Sequence, residues 1–137
     1  MKIALLEPIG VPKETIQAYG DKIRSLGHEF VSYDTVTTDP EELKERSKGC
    51  EVVMIANHPY GDEVVAASQD LKMISVAFTG IDHVGTKACR KKGVTVCNAA
   101  GYSNETVAEL ILGFAVDALR NVRYFLYITV AMTLWKL

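Results

Sequence analysis

The sequence predicts the α/β class, with a doubly wound sheet of parallel strands and helices between them. Three observations predict it. Short β-rich runs alternate with helix-like segments, and this unit occurs five times. The runs recur about every 20–25 residues, which leaves room for a crossover helix each time. One run, residues 52–56, is almost wholly apolar, as a strand covered on both sheet faces should be.

The elements follow in order. Ile3, Ala4, Leu5 and Leu6 read as a buried strand, ended by Glu7-Pro8-Ile9-Gly10. Pro12 at a first helical position opens a helix to about Leu26, with Ile16, Tyr19, Ile23 and Leu26 on its packed face and Gly27 past its end. Residues 30–33 form a second strand. Asp39-Pro40-Glu41-Glu42 combines an N-cap, a proline at N1 and an acid at N3, and the helix it starts stops at Gly49. Strand 52–56, helix 62–68, strand 73–78, helix 84–92 (basic at its end, with Gly93 as cap) and strand 94–97 complete the series. With right-handed crossovers the best-fitting arrangement is flavodoxin-like, with strand order 2-1-3-4-5. Ligands in such sheets sit beyond the carboxyl ends of the strands, so the loops of interest are 7–12, 57–61, 78–83 and 98–103.

An extra long C-terminal helix follows. Ser103 is its expected N-cap, and Val107, Leu110, Ile111, Phe114, Ala118 and Leu119 make a wide apolar stripe. Residues 124–135 carry no charge. That run is too short for the roughly 20 residues that span a bilayer, and periodicity leaves helix and strand both open for it. The expected division is a domain at 1–102 and a hinge helix with apolar tail at 103–137.

Composition narrows the function classes. The 137 residues suit one domain, and 48% hydrophobic content with 15 basic against 17 acidic side chains excludes general disorder. A net charge of −2 offers no basic excess for a polyanion, so nucleic-acid binding is not expected. Cys50, Cys89 and Cys97 are odd in number and form no CxxC pair, against a disulfide framework or zinc site. They fit as small apolar groups. Glu7 and Pro8 cut the N-terminal apolar run too early for a signal peptide, and a cytoplasmic protein is the expectation.

Three loops could carry chemistry. Residues 77–84 leave a strand, contain Thr79 and Gly80, and enter a helix. That turn suits a carboxylate or phosphate, although simple turn chemistry explains it too. Asn57-His58-Pro59-Tyr60 ends the third strand; His58 has the pKa for acid–base work, yet nothing near it in sequence pairs with it. The run from Asn98 through Gly101, Tyr102 and Ser103 suits close backbone approach and a helix cap. His28 lies at the opposite end of the sheet and reads as structural. Neither GxGxxG nor a Walker loop nor GxSxG occurs. A receiver domain is excluded because Glu7 and Asn57 stand where it clusters acids, and the fifth strand lacks its lysine.

Three linked stretches resemble the substrate-binding domain of the D-isomer-specific 2-hydroxyacid dehydrogenases. They are residues 71–84, ending Phe78-Thr79-Gly80-Ile81-Asp82-His83-Val84; then Gly93-Val94-Thr95-Val96-Cys97-Asn98-Ala99; then Ser103-Asn104-Glu105-Thr106-Val107-Ala108-Glu109. The family shows (T/G)-G-x-D-x-(V/I), then G-(V/I)-x-V-x-N-(A/V), then S-x-x-x-V-A-E, in this order. The resemblance covers about residues 1–123. It implies NAD(P)-linked interconversion of 2-oxo and D-2-hydroxy acids. It also implies that Phe78, Thr79 and Gly80 cradle the substrate carboxylate through backbone amides. Asn57, His58, Pro59 and Tyr60 would line the pocket, with Asn98, Tyr102 and Ser103 at a cofactor-proximal hinge.

The departures are specific. Gly85 stands where the family usually has a second acid, which weakens a helix cap. The cofactor fingerprint, its ribose-binding acid and the family's catalytic arginine, glutamate and histidine match nothing in this chain, and neither His58 nor His83 takes their place. Residues 124–137 resemble nothing in the family. The expectation is a truncated dehydrogenase: the substrate lobe of an NAD- or NADP-dependent oxidoreductase, inactive alone, binding a small 2-oxo or 2-hydroxy acid weakly and no cofactor. The alternative is a non-enzymatic module that homodimerises through residues 107–119 and 124–135, or folds the tail back over the sheet.

Overall fold

Strands and helices alternate along the chain as the apolar runs dictate. The computed structural model describes residues 1–134. In order they form β1 (Lys2–Leu5), α1 (Lys13–Ser25), β2 (Glu29–Ser32), α2 (Pro40–Arg46), β3 (Val52–Ile55), α3 (Asp62–Ala67), β4 (Met73–Val76), α4 (Thr86–Lys92), β5 (Thr95–Asn98), α5 (Asn104–Arg120) and α6 (Val122–Leu134). All strand pairs are parallel, and the sheet order is β2-β1-β3-β4-β5, as the sequence predicts. The chain divides into two units, Met1–Ala100 and a second beginning at Gly101.

In the first unit, register decides which side chains share a face. Ala4, Val53, Ile74 and Val96 pair in one row across four strands. Three of them are buried with Ile55 and Val76 against Leu43 of α2, Val64 and Val65 of α3, and Cys89 of α4. The opposite row runs Leu5, Met54, Ser75 and Cys97. Only α1 lies on that side, packed on β2. Met54 and Ser75 are therefore only half-buried and Cys97 is exposed, so the expectations of a strand 52–56 covered on both faces and of three packed cysteines hold only in part. Burial pushes the thiols of Cys50 and Cys89 up from their ordinary range.

Several local expectations need correction. Pro12 is the N-cap of α1 rather than its first residue: its backbone is extended (φ −56°, ψ 146°) and its carbonyl accepts from Thr15 and Ile16. The packed face of α1 is Ile16, Gly20 and Ile23, while Tyr19 and Leu26 are 62% and 73% exposed. Gly20 is buried because Phe30 lies against it; an added Cβ would meet the ring at 2.6 Å. Asp39 caps α2 as predicted, accepting from the Glu41 N–H.

Helices α3 and α4 complete each other. Gly85, the N-cap of α4, offers no side chain, and Asp62 at the start of α3 accepts from the Ala88 N–H at 2.9 Å in its place. At the other end, Lys92 donates to the carbonyls of Val65 and Ser68 at 3.0 and 2.6 Å. Both charges have the sign that the helix dipoles favour. The exchange is possible because Gly85 lies directly on the Gly61–Asp62 backbone, where a Cβ would come within 2.4 Å of the Asp62 nitrogen.

In the second unit, α5 starts after Ser103, whose hydroxyl makes no capping bond although its carbonyl accepts from Val107. None of the residues of α5 is buried. Asn121 ends it in the left-handed region (φ 50°, ψ 42°), and a helix resumes as α6. Helix, not strand, thus settles the open question for 124–134; Trp135 and the rest of the tail lie outside the described residues. Asp117 holds the joint, accepting from the Arg123 N–H and pairing with its guanidinium at 3.1 Å. No helix among the described residues is long and apolar enough to cross a membrane.

Gly85→Ala is expected to destabilise the fold by about 2 kcal/mol in urea unfolding, because the obstructing atoms are backbone. Asp62→Ala should cost about 1 kcal/mol through the lost cap.

Candidate functional site

Parallel pairing brings the loops after β1, β3, β4 and β5 to one edge of the sheet. β1 lies beside β3, β3 beside β4, and β4 beside β5. Hydrogen bonds extend the ladder into these loops: Leu6 N–H to the Met54 carbonyl, Ala77 to Ile55, and Ala99 to Phe78, at 2.7–3.0 Å.

At β4 the chain leaves the sheet through Ala77, Phe78, Thr79 and Gly80, all exposed. Among the described residues no group accepts from the N–H of Phe78, Thr79 or Gly80. Asn98, the last residue of β5, donates its side-chain amide to the Thr79 carbonyl at 2.7 Å and so fixes this loop to the sheet edge. Consecutive unpaired N–H groups on a fixed loop are what a carboxylate needs. Loop 78–80 and Asn98 therefore come together.

The loop after β3 is held differently. Glu7, only 4% exposed, follows β1 and reaches across to β3. Its carboxylate accepts from the Ala56 N–H at 2.6 Å and the His58 N–H at 3.4 Å, and it pairs with His58 Nδ1. His58 thus has a partner after all, one 51 positions away in sequence. Sequence reasoning missed Glu7; its only signal was an acid directly after a wholly apolar strand. Asn57 and Pro59 are exposed beside His58.

Tyr60 departs from its expected place. It is fully buried, and its hydroxyl donates to Ser47 Oγ at 2.9 Å and bonds with Ser68 Oγ at 3.2 Å. Burial pushes its phenol pKa up. The side chain belongs to the core, while its backbone joins the two loops through a bridge to Val84, donating to the His83 carbonyl at 2.9 Å and accepting from Gly85 at 2.8 Å. Tyr102 and Ser103 lie in the second unit; Tyr102 is exposed. His28 Nδ1 and His83 Nε2 are buried without a hydrogen-bond partner among the described residues.

No group of three or more metal-ligating side chains occurs among the described residues. The first strand-to-helix turn, where a dinucleotide-binding sheet holds pyrophosphate, does not fit that group here. It carries Pro8 and Pro12, which lack N–H donors, and the Glu7 carboxylate beside them. A cleft of about 350 Å³ alongside it is lined by Leu5, Pro8, Ile9, Val11, Ile16 and Tyr33, among others.

Comparison with known proteins gives this geometry a context. The chain is 40% identical over 86 residues to a glycerate dehydrogenase of Methylorubrum extorquens, an alignment covering 63% of this chain and 27% of that protein. Its fold matches an NAD+-bound 3-phosphoglycerate dehydrogenase of Entamoeba histolytica with a TM-score of 0.70 and 25% identity, over 85% of this chain and 38% of that one. An NAD-dependent formate dehydrogenase of Staphylococcus aureus matches with a TM-score of 0.69 and 26% identity, over 90% and 40%. The chain thus spans less than half the length of these relatives. The family model for the D-isomer specific 2-hydroxyacid dehydrogenase catalytic domain matches residues 3–132, and so reaches past residue 123 into the tail expected to resemble nothing in the family. On that match the chain belongs to the D-isomer specific 2-hydroxyacid dehydrogenase family, within its catalytic domain.

Proposed function

We propose that these residues form the substrate side of an NAD- or NADP-linked oxidoreductase acting on 2-oxo and D-2-hydroxy acids. The observation that carries this reading is the run of unpaired amides at Phe78, Thr79 and Gly80, fixed by Asn98 at the edge where an open α/β sheet takes its ligands. A substrate carboxylate accepts from these amides, and the loop 57–60 bounds the rest of the molecule. Hydride transfer requires a nicotinamide site and a general acid, and the 137 residues contain no dinucleotide fingerprint. In this reading the chain by itself binds substrate and does not reduce it.

Gly80 permits a clean test. A Cβ there would meet only Asp82 Oδ2, at 3.9 Å, so Gly80→Ala leaves the fold intact while placing a methyl group beside the amides. Titration of the chain with oxalate, followed by amide NMR, should show shifts at residues 78–80 and about tenfold weaker binding in Gly80→Ala. Unchanged affinity in the variant rejects the cradle. The purified chain mixed with NADH and a 2-oxo acid should show no loss of absorbance from the reduced cofactor; turnover would overturn the assignment of a substrate side alone.

A second reading rests on α5, whose Leu110, Ile111, Phe114 and Leu119 are all more than half exposed. Here the chain is a non-enzymatic module that self-associates through α5 and α6. It predicts a melting temperature that rises with protein concentration and ignores 2-oxo acids. A monomer by light scattering across the same range eliminates it.

A further inference from the structure

The cleft of about 350 Å³ beside the first strand-to-helix turn has two walls, the start of α1 and the end of β2. Much of its lining is apolar: Leu5 is buried, Ile9 and Ile16 are half-buried, and Val11 is 43% exposed. Lys13 of α1 and Asp34, just past β2, pair across the walls at 2.8 Å. We propose that this cleft binds a free α-amino acid with an aliphatic side chain. The side chain lies on the apolar lining, the carboxylate pairs with Lys13 and the ammonium with Asp34. Loop 78–80 follows β4, two strands across the sheet from β1, so this site is separate from the carboxylate cradle proposed above.

Size and lining narrow the ligand first. Ligand pockets usually run from about 300 to 1,000 Å³, so a cleft at the small end suits a molecule of amino-acid size rather than a nucleotide. An aliphatic side chain seated there takes apolar surface off the ligand and off Val11 together.

Charge narrows it further. Among the described residues that line the cleft, Lys13 and Asp34 alone are charged, one of each sign. A simple carboxylate that took Lys13 would leave Asp34 without its partner, and a simple amine would do the reverse. A zwitterion supplies both counter-charges at once. The pair opens at little cost, because its side chains are 77% and 69% exposed and water screens their attraction. Gln17 on α1 and Ser32 on β2 stand beside it, and their side chains bond to nothing else among the described residues. A residue inside a peptide carries neither terminal charge, which leaves the free amino acid as the ligand.

The test titrates the whole ¹⁵N-labelled chain with leucine and follows the amide resonances. Residues 9–11 and 32–34 should shift, and residues 78–80 should not. Alanine, with most of the aliphatic side chain gone, should bind about tenfold weaker. 4-Methylpentanoate, which lacks the ammonium, and N-acetylleucinamide, which lacks both charges, should each bind about fivefold weaker than leucine. Lys13→Ala and Asp34→Ala remove exposed side chains and leave the fold intact, and each should weaken leucine about fivefold. In Asp34→Ala, leucine should also lose its advantage over 4-methylpentanoate. N-acetylleucinamide binding as tightly as leucine overturns the proposal, and so does the absence of leucine-induced shifts at 9–11 and 32–34. The oxalate titration at 78–80 reads the other site, so the two proposals fail separately.

Discussion

Parallel pairing sends every carboxyl end of β1, β3, β4 and β5 to the same edge, and the polar chemistry of the chain gathers there as a result. Strand carbonyls and loop amides at such an edge must find partners or face water. Two side chains meet that demand from a distance. Glu7 takes the amides of Ala56 and His58, and Asn98 donates to the Thr79 carbonyl. Arg46 adds a third tie from below, reaching the Leu6 carbonyl at 2.8 Å while its guanidinium lies 4.5 Å over the Tyr33 ring. Among the amides left without a partner at this edge are those of 78–80, the loop proposed to receive the substrate carboxylate.

The fold was legible in the sequence because its signals are local. Apolar runs of strand length, Asp39-Pro40 before a helix, and glycines such as Gly27 and Gly93 past helix ends each act within a few residues, and with right-handed crossovers the flavodoxin-like order fits them best. Of the candidate site, the tie of Asn98 to the Thr79 carbonyl joins two positions that the motifs single out. Pairing between Glu7 and His58 was missed although the predicted order sets β1 beside β3, because strand order brings two loops together without saying which of their side chains meet. Tyr60 failed for the opposite reason. Its neighbours in sequence are exposed loop residues, yet its side chain turns inward to Ser47 and Ser68.

Periodicity also misjudged how much of each face is covered. An apolar stripe says that a surface seeks cover, not that this chain supplies it. Tyr19 on α1 and the stripe on α5 remain exposed, and the sheet face bearing Met54 and Cys97 is covered less than the face beneath α2, α3 and α4.

The bridge between Tyr60 and Val84 has a mechanical consequence. It fastens the end of the loop after β3 to the end of the loop after β4, and Gly85 pressed on Gly61 and Asp62 leaves the joint no slack. The two loops thus share one anchored end, and shifting either of them there breaks the hydrogen bonds of the Tyr60 backbone to His83 and Gly85.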